Sequence, residues 1–149
     1  MHSVLTSESD HVTSTSSKVM VNGDIIFNVN GDVQILALRS ECYTANDATA
    51  SRVTYVANSA LDGSHDISGQ SASLANATVG TAVICDNTTL TSAPTVSQSG
   101  IALNMDSRGI TIPRGTISIT VNGGSTTGLW RHYIRYEPLE PGAWVEAGF

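Results

Sequence analysis

Four histidines, His2, His11, His65 and His132, are where metal or acid–base chemistry would be sought in this 149-residue chain. A metal site on a helix or hairpin needs His, Asp or Glu at short regular spacing. The nearest approach is the adjacent pair His65-Asp66. Neighbours on a strand point to opposite faces, so the pair would share a ligand only inside a loop, and a solvated loop is the simpler reading. His132 shares a two-residue period with Trp130, Ile134 and Tyr136. That places it on an inward face as a partly buried, hydrogen-bonded imidazole. Cys42 and Cys85 each end an apolar run. They read as small buried hydrophobes, with a disulfide between them left open. Serine is plentiful, but there is no Gly-x-Ser-x-Gly elbow, P-loop or dinucleotide fingerprint. Asp106-Ser107-Arg108 and Glu137–Glu140 read as turns, not as an acid–base pair. Asn76-Ala77-Thr78 and Asn87-Thr88-Thr89 match the glycosylation sequon by chance in a Thr-rich chain. The expectation is no catalytic residue, no metal and no cofactor.

The elements that carry these residues read as strands. Ile117, Ile119 and Val121 alternate with polar residues, Asn122-Gly123-Gly124-Ser125 interrupts, and Trp130–Tyr136 alternates again. Two such runs around a Gly-rich break predict a β-hairpin with a long, flexible loop. Upstream, Asn22-Gly23 and Asn30-Gly31 are turn signals. They predict a three-stranded meander from Lys18–Val21, Asp24–Val29 and Asp32–Tyr43, the last buried on both faces. Further strands are expected at Arg52–Val56, Thr81–Cys85, Thr95–Met105 (centred on Ile101–Leu103), Ile110–Ile112 and Ala143–Val145. Asn58–Gln70 reads as a loop, Asp86–Ser92 as a turn, and Ser71–Ala77 as strand or a single helical turn. Pro113, Pro138 and Pro141 end strands. The fold class predicted is all-β: a single antiparallel β-sandwich, jelly-roll-like, over residues 18–149. Residues 1–17, polar and Ser/Thr-rich, read as a flexible N-terminal arm, either plainly disordered or ordered only against a neighbouring subunit.

Composition narrows function. Net charge is −6, with a single Lys (Lys18) and only seven Lys and Arg together. So few cations make a poor partner for nucleic-acid phosphates or for an anionic membrane surface. No apolar run approaches membrane-spanning length. Met1–Val12 lacks the apolar core of a signal peptide, so synthesis in a cytoplasm is expected.

The C-terminal pattern is more informative as a whole. Gly115-Thr116-Ile117-Ser118-Ile119, Ser125-Thr126-Thr127-Gly128, Trp130, Arg135-Tyr136-Glu137-Pro138-Leu139 and Pro141-Gly142-Ala143-Trp144-Val145 follow in order. This resembles the small virion structural proteins of tailed bacteriophages, and Phe27–Thr44 is similar to their N-terminal part. The likeness covers about half the chain, and its motifs are structural. Trp144 is bulkier than the Gly-Ala-x-Val pattern expects. The resemblance implies a capsid decoration or cement protein that binds the outer shell. Its partners would be the major capsid protein and itself, as a homotrimer, on the virion surface. A tail or neck component and a glycan-binding module are the alternatives. Trp130, Tyr136, Pro138, Trp144 and Phe149 are the expected interface residues, because aromatic anchors often carry interface energy; for Trp130 and Tyr136 a buried core role is the simpler reading, whereas Trp144 and Phe149 follow the prolines, where a subunit contact fits better.

Overall fold

The computed structural model describes residues 11–61, 63–85, 94–97 and 110–149. Eleven strands form among them: β1 His11–Ser14, β2 Ile25–Asn30, β3 Val33–Cys42, β4 Arg52–Ser59, β5 Gly63–Asp66, β6 Ala82–Cys85, β7 Thr95–Ser97, β8 Ile110–Ile112, β9 Gly115–Asn122, β10 Trp130–Pro138 and β11 Trp144–Ala147. One sheet runs β1-β10-β3-β6-β7, with β8 also on β3; the other runs β11-β2-β9-β4-β5. Every pairing is antiparallel.

The wiring follows one rule. Pair β1 with β10, β2 with β9, β3 with β6 and β4 with β5, and the chain is a long two-stranded ribbon. Rolling that ribbon brings β10 against β3 and β9 against β4. The result is a jelly roll, with β7, β8 and β11 added at its margins. Inward residues of both sheets fill the space between them. Trp130, Tyr55, Phe27, Met20, Ile35, Leu38, Ile117 and Ile134 are essentially without exposure. Removing apolar surface of this size from water is the main favourable term in such a fold.

Rolling overturns two local expectations. β9 and β10 do not form a hairpin; they lie in different sheets, and the connection between them crosses the core. Nor do β2 and β3 belong to one meander, since Asn30-Gly31 also leads from one sheet to the other. Lys18–Val21 contributes only a bridge from Lys18 to Trp130. Alternation tells a residue which way to face, and both sheets face the same core, so the pattern is blind to which sheet a strand joins.

The Gly-rich crossing is not a loose loop. Ser51 Oγ donates to Gly124 O at 2.8 Å, Met20 N to Thr126 Oγ1 at 2.8 Å and Asp47 N to Thr127 Oγ1 at 2.8 Å. Gly123 (φ 92°) lies where a Cβ would strike the Ala50 carbonyl, and at Gly128 one would strike that of Thr44. Glycine is what allows backbone to pass backbone here.

The smaller departures have local causes. The arm expected over residues 1–17 is already in the sheet by His11, where β1 pairs with Tyr133–Tyr136 of β10; residues 1–10 lie outside the described residues. β3 is buried on one face and half-buried on the other, and a bulge opposite Arg135–Tyr136 resets its alternation. The Asn58–Gln70 segment contains β5. Ser71–Ala77 is neither strand nor helix, although Ser68 and Ser71 accept the β4 amides of Tyr55 and Val53 at 3.1 and 3.0 Å. Side chains thereby extend the ladder past the end of β5. The strand centred on Ile101–Leu103, the turn at Asp86–Ser92 and the Asn87 sequon fall outside the described residues.

Candidate interaction face

β10 separates its side chains by parity. Trp130, His132, Ile134 and Tyr136 point into the core; Arg131, Tyr133, Arg135 and Glu137 point out. The inward set is held by polar contacts as well as by packing. Trp130 Nε1 donates to Asn46 Oδ1 at 3.1 Å, and Gly128 N donates to the same oxygen at 2.9 Å. Asn46 Nδ2 donates to Leu74 O at 3.0 Å, so this buried amide ties three segments together.

A polar chain crosses the core beside it. Tyr55 Oη lies 2.6 Å from Ser40 Oγ, which lies 2.7 Å from His132 Nδ1. The direction of the protons follows from counting groups. If Tyr55 donates to Ser40 and Ser40 to His132, only Nε2–H lacks a partner, as is found for that atom. The reverse direction would strand the Tyr55 hydroxyl proton as well as Nε2. Burial holds the His132 imidazole neutral, with its pKa lowered to about 4, and pushes the Tyr55 phenol above its ordinary range. Ser40 and His132 stand at nucleophile–base distance. Both are sealed, at 0% and 1% exposure, so no substrate carbonyl can reach the pair.

The outward set joins neighbours from β1, β3 and the chain just beyond β3. Tyr43 Oη and Tyr133 Oη are 2.7 Å apart. The Arg131 guanidinium lies 5.7 Å from the centre of each of their rings, within cation–π range. Its Nε donates to Thr15 O at 2.8 Å, which fixes the planar group against the sheet. Desolvation, then the bond to Tyr43, pushes the Tyr133 phenol up to about 12. Arg39 stands opposite Tyr133 across the ladder and Val12 opposite Arg135. Arg39 also lies 3.4 Å from Glu41, a surface ion pair of small energetic weight. Tyr43 and Val12 are exposed, and Arg39 is about one-third exposed.

The five residues expected at an interface separate on this geometry. Trp130 and Tyr136 are core residues, at 0% and 4% exposure; inward parity, not contact, accounts for their size. Tyr136 Oη accepts Val145 N at 3.1 Å. Pro138 ends β10, half-buried. Phe149 packs edge-on to His132 and under the Lys18 ammonium. Trp144 alone of the five is exposed, at 47%, on β11. No motif marks the Arg–Tyr cluster in the sequence, although the alternation through Trp130–Tyr136 assigns Arg131, Tyr133 and Arg135 to the outer face.

The other residues considered for chemistry lie apart. His65 and Asp66 sit on β5, exposed, beside a cleft of about 190 Å³ between the edges of the two sheets. Cys42 and Cys85 are buried as thiols without a disulfide. Burial raises the Cys42 pKa, which suits an inert core thiol.

No family model matches this chain, and no curated protein does. Among solved structures, one of the infectious bursal disease virus Gt strain aligns over 91% of this chain at 12% identity, with a TM-score of 0.32. The chain spans 38% of that protein's length. A Bacillus endospore appendage, from a family of disulfide-linked pili, aligns over 87% of this chain and 81% of its own, at 16% identity and a TM-score of 0.24. Superpositions this loose say nothing of kinship or role; what stands is an all-β, two-sheet jelly roll with an Arg–Tyr cluster on one outer face.

Proposed function

We propose that this chain is a bacteriophage virion structural protein, a capsid decoration protein that binds the outer shell and stabilises it. It acts by binding, without turnover. The observation that carries the reading is the contrast across β10. The Ser–His pair faces a closed core, while the opposite side of the same strand displays a preorganised Arg–Tyr cluster. Tyr and Arg are the side chains most enriched where interfaces concentrate their energy. The jelly roll itself is shared by viral capsid domains, lectin domains and cupins, so it supports the reading only as analogy. The C-terminal resemblance to phage particle proteins supplies the setting. Under this reading the partners are the major capsid protein and two further copies of this chain.

The deciding measurement is copy number in purified particles, by quantitative mass spectrometry against the major capsid protein. Decoration requires hundreds of copies near a simple ratio to the shell. A dozen would move the protein to tail or neck, and none would end the virion reading. The cleft beside His65 keeps a sugar-binding role as a second reading, because polar Asn58, Asp66 and Thr116 line it together with apolar Ile67 and Ile112. Glycan-array binding lost in Asp66→Ala would favour it.

A further inference from the structure

Among the described residues, the outer face of β3 and β10 gathers half of the basic side chains. Arg39, Arg131 and Arg135 are three of only seven Lys and Arg residues, and they share this face with Glu41 and Glu137. Set those five aside, and the other described residues carry three Lys and Arg against six Asp and Glu. Among them acidic groups prevail; here guanidinium groups do. One of these groups is also held in place. Tyr43 and Tyr133 bond to each other and flank Arg131, whose Nε is fixed by the Thr15 carbonyl. Side chains already ordered lose little freedom on binding, and a planar guanidinium matches a carboxylate in two-point geometry.

We infer that the outer face of β1, β10 and β3 is the docking face of this protein, and that its partner is a carboxylate-rich protein surface. The inference rests on the particle reading above and names the chemistry of the shell surface that would be met. Arg39 and Arg135 pair with carboxylates at the rim. Tyr43, Tyr133 and the stem of Arg131 form the desolvated centre. Trp144 and β11 belong to the other sheet, so the docked molecule turns that side outward.

The test uses the full chain and particles from which its gene has been deleted. Wild type, Arg39→Gln/Arg135→Gln and Arg52→Gln/Arg114→Gln are added back, and occupancy is read by quantitative mass spectrometry. The last pair removes the same charge from exposed positions on and beside the second sheet. Neither pair includes Arg131, so the fixed cluster is intact, and equal melting temperatures establish folding. The expected result is an apparent affinity at least tenfold weaker for the β3/β10 pair, within twofold of wild type for the control pair, and a steeper salt dependence for wild type than for the β3/β10 pair. Equal weakening by both pairs would reduce the effect to net charge and overturn the inference. So would wild-type affinity in the β3/β10 pair. Two other results would overturn it as well: a dimer of the isolated protein abolished by the same pair in sedimentation, or Arg39/Arg135-dependent binding to single-stranded DNA. If wild type itself fails to bind the particles, it is the decoration reading that falls.

Discussion

At the edge made by β1 and β11, the backbone of Val145 has both outward groups occupied. Tyr136 Oη accepts its N–H at 3.1 Å, and Thr13 Oγ1 donates to its carbonyl at 3.3 Å. Both side chains come from the opposite sheet. His11 stacks on the Tyr136 ring, Ser16 N donates to Phe149 O, and Phe149 meets His132 edge-on. At the other side of the sandwich, β5 is exposed at all four residues, and the cleft separates it from β8. An edge strand with open backbone groups is a template for unwanted pairing. One edge of this molecule is stitched to the facing sheet; the other is left short and polar.

That contrast can be broken from the stitched side. Tyr136→Ala removes a buried ring and the cross-sheet bond together, and should cost about 3–5 kcal/mol, read from urea denaturation. Hydrogen exchange at Val145 should rise with it. Acid tests the same edge from beneath. His132 has a pKa near 4 in the folded chain against an ordinary value of 6.5. The unfolded chain therefore binds a proton that the folded one refuses. Stability should be full above pH 6.5 and fall by about 2 kcal/mol by pH 5, before carboxylates titrate appreciably. A profile flat between pH 7 and 5 would contradict a neutral, sealed imidazole. Tyr136→Phe keeps the ring and strands the Val145 amide, a loss of about 1–2 kcal/mol. On the open side, Asp66→Ala should shift stability by less than about 0.5 kcal/mol. Amides of Gly63–Asp66 should exchange well before those of Trp144–Ala147. Equal exchange at the two edges would erase the distinction.

How much of this could be read from residues alone differs between levels. The face of nearly every residue in Trp130–Tyr136 was legible, because parity and burial are the same fact in a two-sheet fold. His132 as an inward, hydrogen-bonded imidazole was legible for that reason. Strand partners were not. A glycine-rich break such as Asn122–Ser125 permits an in-plane hairpin or a crossing over the core, and only the tertiary ties through Ser51, Asp47 and Met20 choose the crossing. Size alone does not tell core from surface for a related reason. Trp130 and Tyr136 are candidates for contact or core by bulk, and their bulk serves the interior. Outward parity marks Arg131 and Tyr133 as surface residues. Asn46 was invisible as a hub, since nothing local marks an amide that will meet Trp130, Gly128 and Leu74 only after the ribbon has rolled.

The pairing of β1 with β10 and of β2 with β11 joins opposite ends of the chain. Bringing such distant segments together requires closing nearly the whole polypeptide into a loop, and contacts of long sequence separation slow folding. During synthesis β2 and β3 therefore emerge well before the strands that cover them, with apolar Ile26, Phe27, Ile35 and Leu38 awaiting partners made last. The protected edge of the finished molecule is for that interval its most exposed one. Nascent chains stalled before Trp130 should consequently be bound by chaperones or aggregate, while chains released whole should not.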